Sequence, residues 1–146
     1  MREILFKAKR IDNGEWVEGN IILSKDADEE YKAIIIPSVN SNMFTDDRGN
    51  EDLGFENWYN VDPSTICQYT GLTDKNGQKI WENDVVFVTD DDGCSGQIDT
   101  GTGHIIFLDG LWYIDGRVQN GLYDIDKCFD IEAIGNIFDN PELLNE

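Results

Sequence analysis

The stretch GHIIFLDGLWYI, residues 103–114, decides the fold class of this chain. Two runs rich in Ile, Phe, Leu, Trp and Tyr, residue types that favour strands, flank the dipeptide Asp109-Gly110. Asp-Gly accommodates the positive φ angles of a type I′ turn, so the stretch predicts a β-hairpin. The same kind of dipeptide recurs elsewhere in the chain, at Asn13-Gly14, Asn76-Gly77 and Asn120-Gly121.

Further short apolar runs lie between these turn signals. They are Ile4 to Arg10, Trp16 to Leu23, Tyr31 to Pro37, Asp84 to Thr89 and Tyr123 to Phe138. The last run changes phase at Ala133-Ile134 and Gly135 follows, which predicts a β-bulge or a bend there. Only the tail after Asn140 combines a capping residue with a Pro suited to about one helical turn. The sequence therefore predicts a mainly β protein.

The length of 146 residues fits one domain or two very small ones. Pro63 interrupts the pattern between Asn60 and Thr65, so we expect an amino-terminal β unit over residues 1–64 and a carboxy-terminal β unit over residues 65–146, or one continuous domain. The polar stretch Asn40 to Asn57 is longer than ordinary connections, and it is either mobile or used for binding.

The net charge of the chain favours some classes of binding partner over others. Thirty Asp and Glu against eleven Lys and Arg give a net charge of −19, although the first ten residues carry a local +3. Phosphate binding needs clustered Lys and Arg, so direct nucleic-acid binding is disfavoured and a basic protein partner is favoured. No apolar run reaches the roughly 18 residues of a membrane span, so we expect a cytoplasmic protein without a membrane partner.

The three cysteines, Cys67, Cys94 and Cys128, are an odd number at wide spacing, so we expect reduced thiols. Together with the single histidine, His104, they supply four formal zinc ligands. Structural zinc sites usually contain a C-x-x-C pair, however, and this sequence has none. The sequence therefore predicts no zinc.

The acidic stretch Thr89 to Asp99 offers a calcium candidate made of Asp90, Asp92 and Asp99. Calcium takes hard oxygen ligands in short Gly-containing loops, but the first ligand position of the loop pattern holds Val88. An acidic hairpin loop explains the same residues without a metal. We therefore expect no metal and no other cofactor.

Four aromatic residues form the candidate binding set: Trp58, Tyr59, Trp81 and Trp112. They either build a ligand-stacking surface or fill the core and a subunit contact. The common phosphate-binding, zinc-protease and nucleophile-elbow motifs do not occur in the sequence. A single histidine also leaves few general bases near neutral pH, so we expect no catalytic residues.

Three blocks of the sequence resemble the YopX family of phage and prophage proteins. They are the basic opening MREILFKAKR, the central block QYTGLTDKNGQKIWENDVV from Gln68 to Val86, and EAIGNIFDNPELL from Glu132 to Leu144. The blocks follow the order of the family, and the central one is the most specific. Asn83 stands where the family usually has Gly, and Asn is well tolerated at positive φ. The resemblance implies a small SH3-like barrel in the carboxy-terminal unit and no assigned catalytic residues.

The functional prediction is a phage or prophage accessory protein that is not an enzyme and acts through contact with a basic host or phage protein. The alternative is a nucleic-acid-associated SH3-like module that binds through the basic amino-terminal strand. An enzyme is a third hypothesis, kept only because so many carboxylates are present. The basic strand can pair with an acidic surface, either within the same chain or on a second subunit, and we predict a homo-oligomer.

Overall fold

The computed structural model describes residues 2–28, 32–39, 41, 43–45, 53–91, 96, 98–116, 120–121 and 129–145. Strands dominate, and the longest helix in these ranges is the 3-10 helix Pro141–Asn145. The predicted mainly β class is therefore confirmed. No helix among the same residues is long and apolar enough to cross a membrane. The chain divides into two compact units, Met1–Gln68 and Tyr69–Glu146.

The first unit is built around an antiparallel sheet. The strands of this unit are β1 (Phe6–Lys9), β2 (Trp16–Leu23), β3 (Ala33–Pro37), β4 (Met43–Thr45), β5 (Leu53–Phe55), β6 (Tyr59–Asn60) and the first residues of β7 (Cys67–Thr73). Strands β4 and β5 form a separate two-stranded sheet. The sheet order is β6-β3-β2-β1-β7, so β1 is bordered on both sides. Ala8 of β1 is buried with Ala33, Ile35 and Val61, whereas its neighbours Lys7 and Lys9 are half-buried. This alternation fixes which face of β1 meets the core.

The polar stretch Asn40 to Asn57 contains strands that its composition does not predict. Strands β4 and β5 pair with each other, with Met43 opposite Phe55. The Ser41 hydroxyl donates to the Asn57 carbonyl at 2.8 Å and accepts from the Asn57 N–H at 3.2 Å. Pairing between β4 and β5 therefore forms a two-stranded ribbon that the β propensity of these residues does not predict. Residues 46–52 lie outside the described part of the chain.

The second unit is a five-stranded antiparallel sheet with a short ribbon before it. Its strands are the end of β7, β8 (Lys79–Trp81), β9 (Asp84–Asp91), β10 (Ile98–Leu108), β11 (Leu111–Gly116), β12 (Asn120–Gly121) and β13 (Phe129–Asn136). The sheet order is β12-β11-β10-β9-β13, and β7 pairs with β8. The core is aliphatic and consists of Ile80, Val86, Val88, Ile105, Ile114 and Ile131. The outer strands β12 and β13 do not pair with each other among the described residues, so this sheet is open and the SH3-like barrel stays a prediction.

The turn predictions have mixed outcomes. Asp109 and Gly110 have φ angles of 52° and 80°, and they join β10 to β11 as the I′ pattern predicts. The predicted turn at Asn120-Gly121 is wrong, because these residues form β12 and pair with Ile114 and Tyr113. The register of β13 shifts between Ala133 and Gly135, so the predicted bulge or bend is confirmed as a break in regular pairing at this point. Strand pairing therefore overrides turn propensity at residues 120–121.

Candidate functional site

Asp74, in the central block from Gln68 to Val86, fixes the conformation of the turn between β7 and β8. Its carboxylate is buried, and it accepts hydrogen bonds from the N–H groups of Asn76 and Gln78, each at 2.9 Å, and of Ala133 at 3.0 Å. Burial raises the pKa of this carboxyl, but the three backbone donors outweigh burial and the pKa lies below its usual value. Asp74 therefore holds the β7–β8 turn closed and ties it to β13.

Two more polar residues of the same block have structural partners. The Asp84 carboxylate is buried and accepts from the Trp81 N–H at 2.8 Å, which closes the tight turn between β8 and β9. Asn83 in that turn has a φ of 69°, the left-handed conformation that Gly and Asn adopt most easily. The buried Thr70 hydroxyl donates to the Ile80 carbonyl at 2.7 Å. The block thus shapes the turns and the bulge of the second unit.

The carboxy-terminal family block works in the same way. The Asn136 side-chain oxygen accepts from the N–H groups of Phe138 at 3.0 Å and Asp139 at 2.9 Å. A Cβ atom at Gly135 would lie 2.5 Å from the side-chain oxygen of Asn140, so the chain passes closely here. These contacts turn the chain from β13 into the final 3-10 helix. The polar residues of the central and carboxy-terminal blocks described here therefore serve the fold.

The structure separates the four predicted aromatic residues. Trp81 is 5% exposed in the second unit, and its ring centroid lies 5.5 Å from that of Tyr69. Trp112 packs against the core of the same unit, with its ring edge-on to Phe107 at 4.9 Å. Trp58 and Tyr59 lie together in the first unit. The candidate set thus contributes two residues to a single surface and two to core packing.

Trp58 and Tyr59 line a cavity of about 330 Å³ together with Ile11, Asp12 and Asn60. Trp58 is 47% exposed and Ile11 is 53% exposed, so the cavity opens among apolar side chains that solvent reaches. We call these five residues the aromatic groove. Its volume lies at the lower end of the roughly 300–1,000 Å³ of small-molecule sites. It therefore has room for a side chain or a short peptide segment.

Backbone hydrogen bonds between distant segments build the aromatic groove. The Ile11 N–H donates to the Asn60 carbonyl at 3.0 Å, and the Asp62 N–H donates to the Lys9 carbonyl at 2.9 Å. Gly14, with a φ of 72°, turns the chain back toward β2, and its N–H donates to the Arg10 carbonyl at 2.9 Å. The β1–β2 turn is therefore held against β6. The Asn60 side-chain oxygen is buried, and it has no hydrogen-bond partner among the residues that the structure describes.

A guanidinium and a carboxylate stand beside the groove. Arg10 lies over the Tyr59 ring, 4.0 Å from its centroid, and donates to both Asp12 oxygens, from Nε at 3.0 Å and from an Nη at 2.6 Å. These charge-assisted bonds lower the pKa of Asp12 and raise the pKa of Arg10. The sequence identified Arg10 only as part of the basic amino-terminal strand and did not identify Asp12, because the contact of Arg10 with Tyr59 joins positions far apart in the chain.

A second basic and aromatic contact lies on the outer face of β1 and β2. The Nζ atoms of Lys7 and Lys9 lie 4.7 Å and 5.4 Å from the centroid of the Trp16 ring. Register places Lys9 opposite Trp16 and Lys7 opposite Glu18. Cation–π attraction therefore holds both ammonium groups close to the sheet.

The second unit exposes apolar side chains at the end of its central hairpin. Phe107 is 55% exposed, and Leu108 and Leu111 are also exposed on either side of the Asp109-Gly110 turn. On the opposite face from Phe107, a cavity of about 360 Å³ is lined by residues that include Ile106, Leu108 and Tyr113. The strand-favouring residue types that predict this hairpin do not predict the exposure, because apolar residues occupy both faces of the two strands.

The metal candidates are only partly described. Asp90 and Asp99 are register partners across β9 and β10, and Asp92 lies outside the described residues. Cys94 and Cys128 also lie outside them, and the described Cys67 is buried, with its thiol bonded to the Thr65 carbonyl at 3.3 Å. No group of three or more His, Cys, Asp or Glu side chains suited to a metal occurs within the described ranges. The zinc and calcium expectations stay predictions.

Comparison with known proteins places the chain in a family. A search of curated proteins gave no match. The crystal structure of protein EF1440 from Enterococcus faecalis has a similar fold, with a TM-score of 0.63, 23% sequence identity and 99% coverage of both chains. The family model described as YopX protein matches residues 5–145, which is nearly the whole sequence. The chain therefore belongs to the YopX family.

Proposed function

We propose that this protein is an accessory protein of a phage or prophage that acts in the host cytoplasm by binding a basic protein, without catalysis. The observation that carries this proposal is the aromatic groove, where Trp58 and Ile11 are exposed beside Tyr59 and Asp12. Exposed aromatic residues beside a cleft are typical anchors of protein contacts.

The charge of both units supports a basic partner. Residues 1–68 contain seven Lys and Arg against fourteen Asp and Glu, and residues 69–146 contain four against sixteen. Each unit is therefore acidic by itself. A field of this sign accelerates the encounter with positively charged partners and disfavours acidic ones.

The hydrogen bonding of the buried carboxylates supports a role without catalysis. Among the side chains that the structure describes, Asp74 and Asp84 are the buried carboxylates, and both accept hydrogen bonds from backbone N–H groups. For Asp74 these bonds outweigh the effect of burial and lower the pKa of the carboxyl, whereas a general acid needs a raised pKa. Asp84, bonded to the Trp81 N–H, closes the turn between β8 and β9.

The strand order of the second unit supports the proposed SH3-like barrel. Strands β9 to β12 follow one another as an antiparallel meander, and β13 returns to pair with β9 on its free side. A sheet of this order closes into a small barrel when its two outer strands approach. Small barrels of this kind present loops and hairpin ends to partners.

The alternative is a nucleic-acid-associated module that uses the basic amino-terminal strand. Lys7 and Lys9 beside Trp16 favour it, because cations next to aromatic rings contact phosphates and bases. Arg10 counts against it, since both Asp12 oxygens already engage its guanidinium. Exposure of the protein to host lysate distinguishes this alternative. It is favoured if the protein retains RNA or DNA and if that binding weakens steeply as the salt concentration rises.

Affinity capture followed by rebinding tests the main proposal. Immobilised protein is exposed to host lysate, and the captured protein is identified, purified and titrated against the chain by calorimetry. We expect a basic protein that binds at a fixed stoichiometry and more weakly as salt rises. Retention of nucleic acid alone, or a captured protein that fails to rebind when pure, would overturn the proposal.

A further inference from the structure

We propose that the aromatic groove receives an arginine side chain of the partner. This inference rests on the proposed function and specifies its contact. The groove combines an exposed indole, an aliphatic wall and a carboxylate at its rim, provided by Trp58, Ile11 and Asp12. An arginine has an apolar stem, a planar face and a positive charge, and each of these matches one wall.

The size and exposure of the groove suit one side chain. Its volume of about 330 Å³ is too small for a folded element but sufficient for an extended side chain with its neighbouring backbone. Ile11 and Trp58 both expose apolar surface to solvent. Covering that surface with the methylene stem of an arginine removes apolar area from water, which favours association.

The charge around the groove favours a cation. In the β1–β2 turn, Asp12 and Glu15 provide two carboxylates for the single guanidinium of Arg10. Glu15 lies close enough for its charge to raise the pKa of Arg10, and its side chain also accepts from the Asn13 amide at 3.3 Å. The turn therefore keeps one excess negative charge, and the face of the Trp58 ring adds to the attraction.

The protein already binds a guanidinium of its own in this way. Arg10 lies 4.0 Å over the ring of Tyr59 and makes a two-pronged contact with Asp12. A second guanidinium would stack on the neighbouring Trp58, whose ring is half exposed. Lysine fits less well, because its compact, strongly hydrated ammonium has no planar face to stack on an indole.

Amide chemical-shift titration of the full chain with two pentapeptides tests the inference. The probes are acetyl-Gly-Gly-Arg-Gly-Gly-amide and the same peptide with citrulline, which keeps the shape of arginine and removes its charge. We expect saturable shifts at Ile11, Asp12 and Asn60 with a Kd of about 1 mM for the arginine peptide. The citrulline peptide should bind at least about fivefold more weakly.

Three variants complete the titration. Trp58→Ala should weaken binding at least about fivefold, whereas Trp58→Phe, which keeps a ring, should lose less. Phe107→Ala removes a similarly exposed aromatic side chain of the second unit and should leave the Kd unchanged. Equal binding of the two peptides, unchanged binding by Trp58→Ala, or no saturable shift up to about 20 mM would overturn the inference.

The inference and the proposed function fail in different ways. If a basic protein captured from lysate rebinds Trp58→Ala as tightly as the wild type, the arginine contact is wrong and the proposed function stands. If no basic protein rebinds although the arginine peptide does, the groove recognises guanidinium groups and the proposed function is wrong.

Discussion

Asp74 accepts a hydrogen bond from the N–H of Ala133 at 3.0 Å, although 59 residues separate the two in sequence. The other oxygen of the same carboxylate accepts from Asn76 and Gln78 within its own turn. One buried side chain therefore fixes the β7–β8 turn and attaches it to β13. The Lys75 N–H, which donates to the Ile131 carbonyl at 3.0 Å, strengthens the same junction.

Replacement of this carboxylate should destabilise the fold. We expect Asp74→Asn to lower the free energy of unfolding by about 2 kcal/mol, because an amide has one acceptor oxygen and places a donor near a backbone N–H. Urea unfolding measures the change. Asp130→Asn, at an exposed position of β13, is the matched control and should change stability by less than about 0.5 kcal/mol. Equal effects of both variants would show that Asp74 has no special role.

The contribution of Asp74 should also be visible in how the stability of the protein depends on pH. The pKa of Asp74 in the folded protein lies below its value in the unfolded chain, so its contribution to stability is present above the unfolded pKa and is lost as pH falls through the folded pKa. Between about pH 5 and pH 2, the wild type should therefore lose more stability than Asp74→Asn does. Parallel pH profiles of the two proteins, measured by thermal unfolding, would contradict this expectation.

The turn between β8 and β9 provides a test of backbone conformation. Asn83 has a φ of 69°, and both Asn83→Gly and Asn83→Ala remove its side-chain amide. The two variants differ in how easily they adopt positive φ. We expect the Ala variant to be less stable than the Gly variant by about 1 kcal/mol in chemical denaturation. A difference in the opposite direction would mean that the turn has another conformation in solution.

We predict that the chain self-associates through the basic face of β1. Because β1 is bordered by β2 and β7, the contact has to use side chains such as Lys7 and Lys9 rather than a free strand edge. Light scattering at about 0.15 M salt should give a multiple of the 16.6 kDa chain mass. The double variant Lys7→Glu, Lys9→Glu should give the single mass.

A charge-matched control distinguishes the face from the net charge. Lys75→Glu with Lys79→Glu makes the same change of charge in the second unit, and it should leave the associated mass unchanged. Dissociation by both double variants would instead indicate general repulsion between acidic chains. A wild-type mass of 16.6 kDa at micromolar concentration would contradict the prediction that the chain self-associates.

Local patterns predicted most of the strands. The β10–β11 hairpin and the bulge at Ala133 and Gly135 follow from residues that are neighbours in the chain, and β2 has the bounds that its apolar run indicates. Strands β4 and β5 were missed, because their pairing depends on partners across the loop. Residues 120–121 form a strand against their turn propensity, since pairing with β11 satisfies their backbone.

Only part of the candidate site could be predicted from the sequence. Trp58 and Tyr59 were identifiable as adjacent aromatic residues in a polar context. Arg10 was identifiable only as part of the basic strand and Asp12 not at all, because Arg10 reaches Tyr59 only after the bridge between Arg10 and Val61 brings the two segments together. Trp81 and Trp112 carry the same sequence signal as Trp58, and only burial distinguishes them. Long-range pairing is the information that single-sequence patterns lack.

Hydrogen–deuterium exchange of the chain, alone and bound to the basic protein captured from host lysate, tests the central claim most directly. A basic protein that is not retained from the lysate serves as the control. We predict slowed exchange at residues 10–13 and 57–61 in the specific complex only. Protection confined to residues 69–146, or the same protection with the control protein, would contradict the assignment of the aromatic groove as the binding surface.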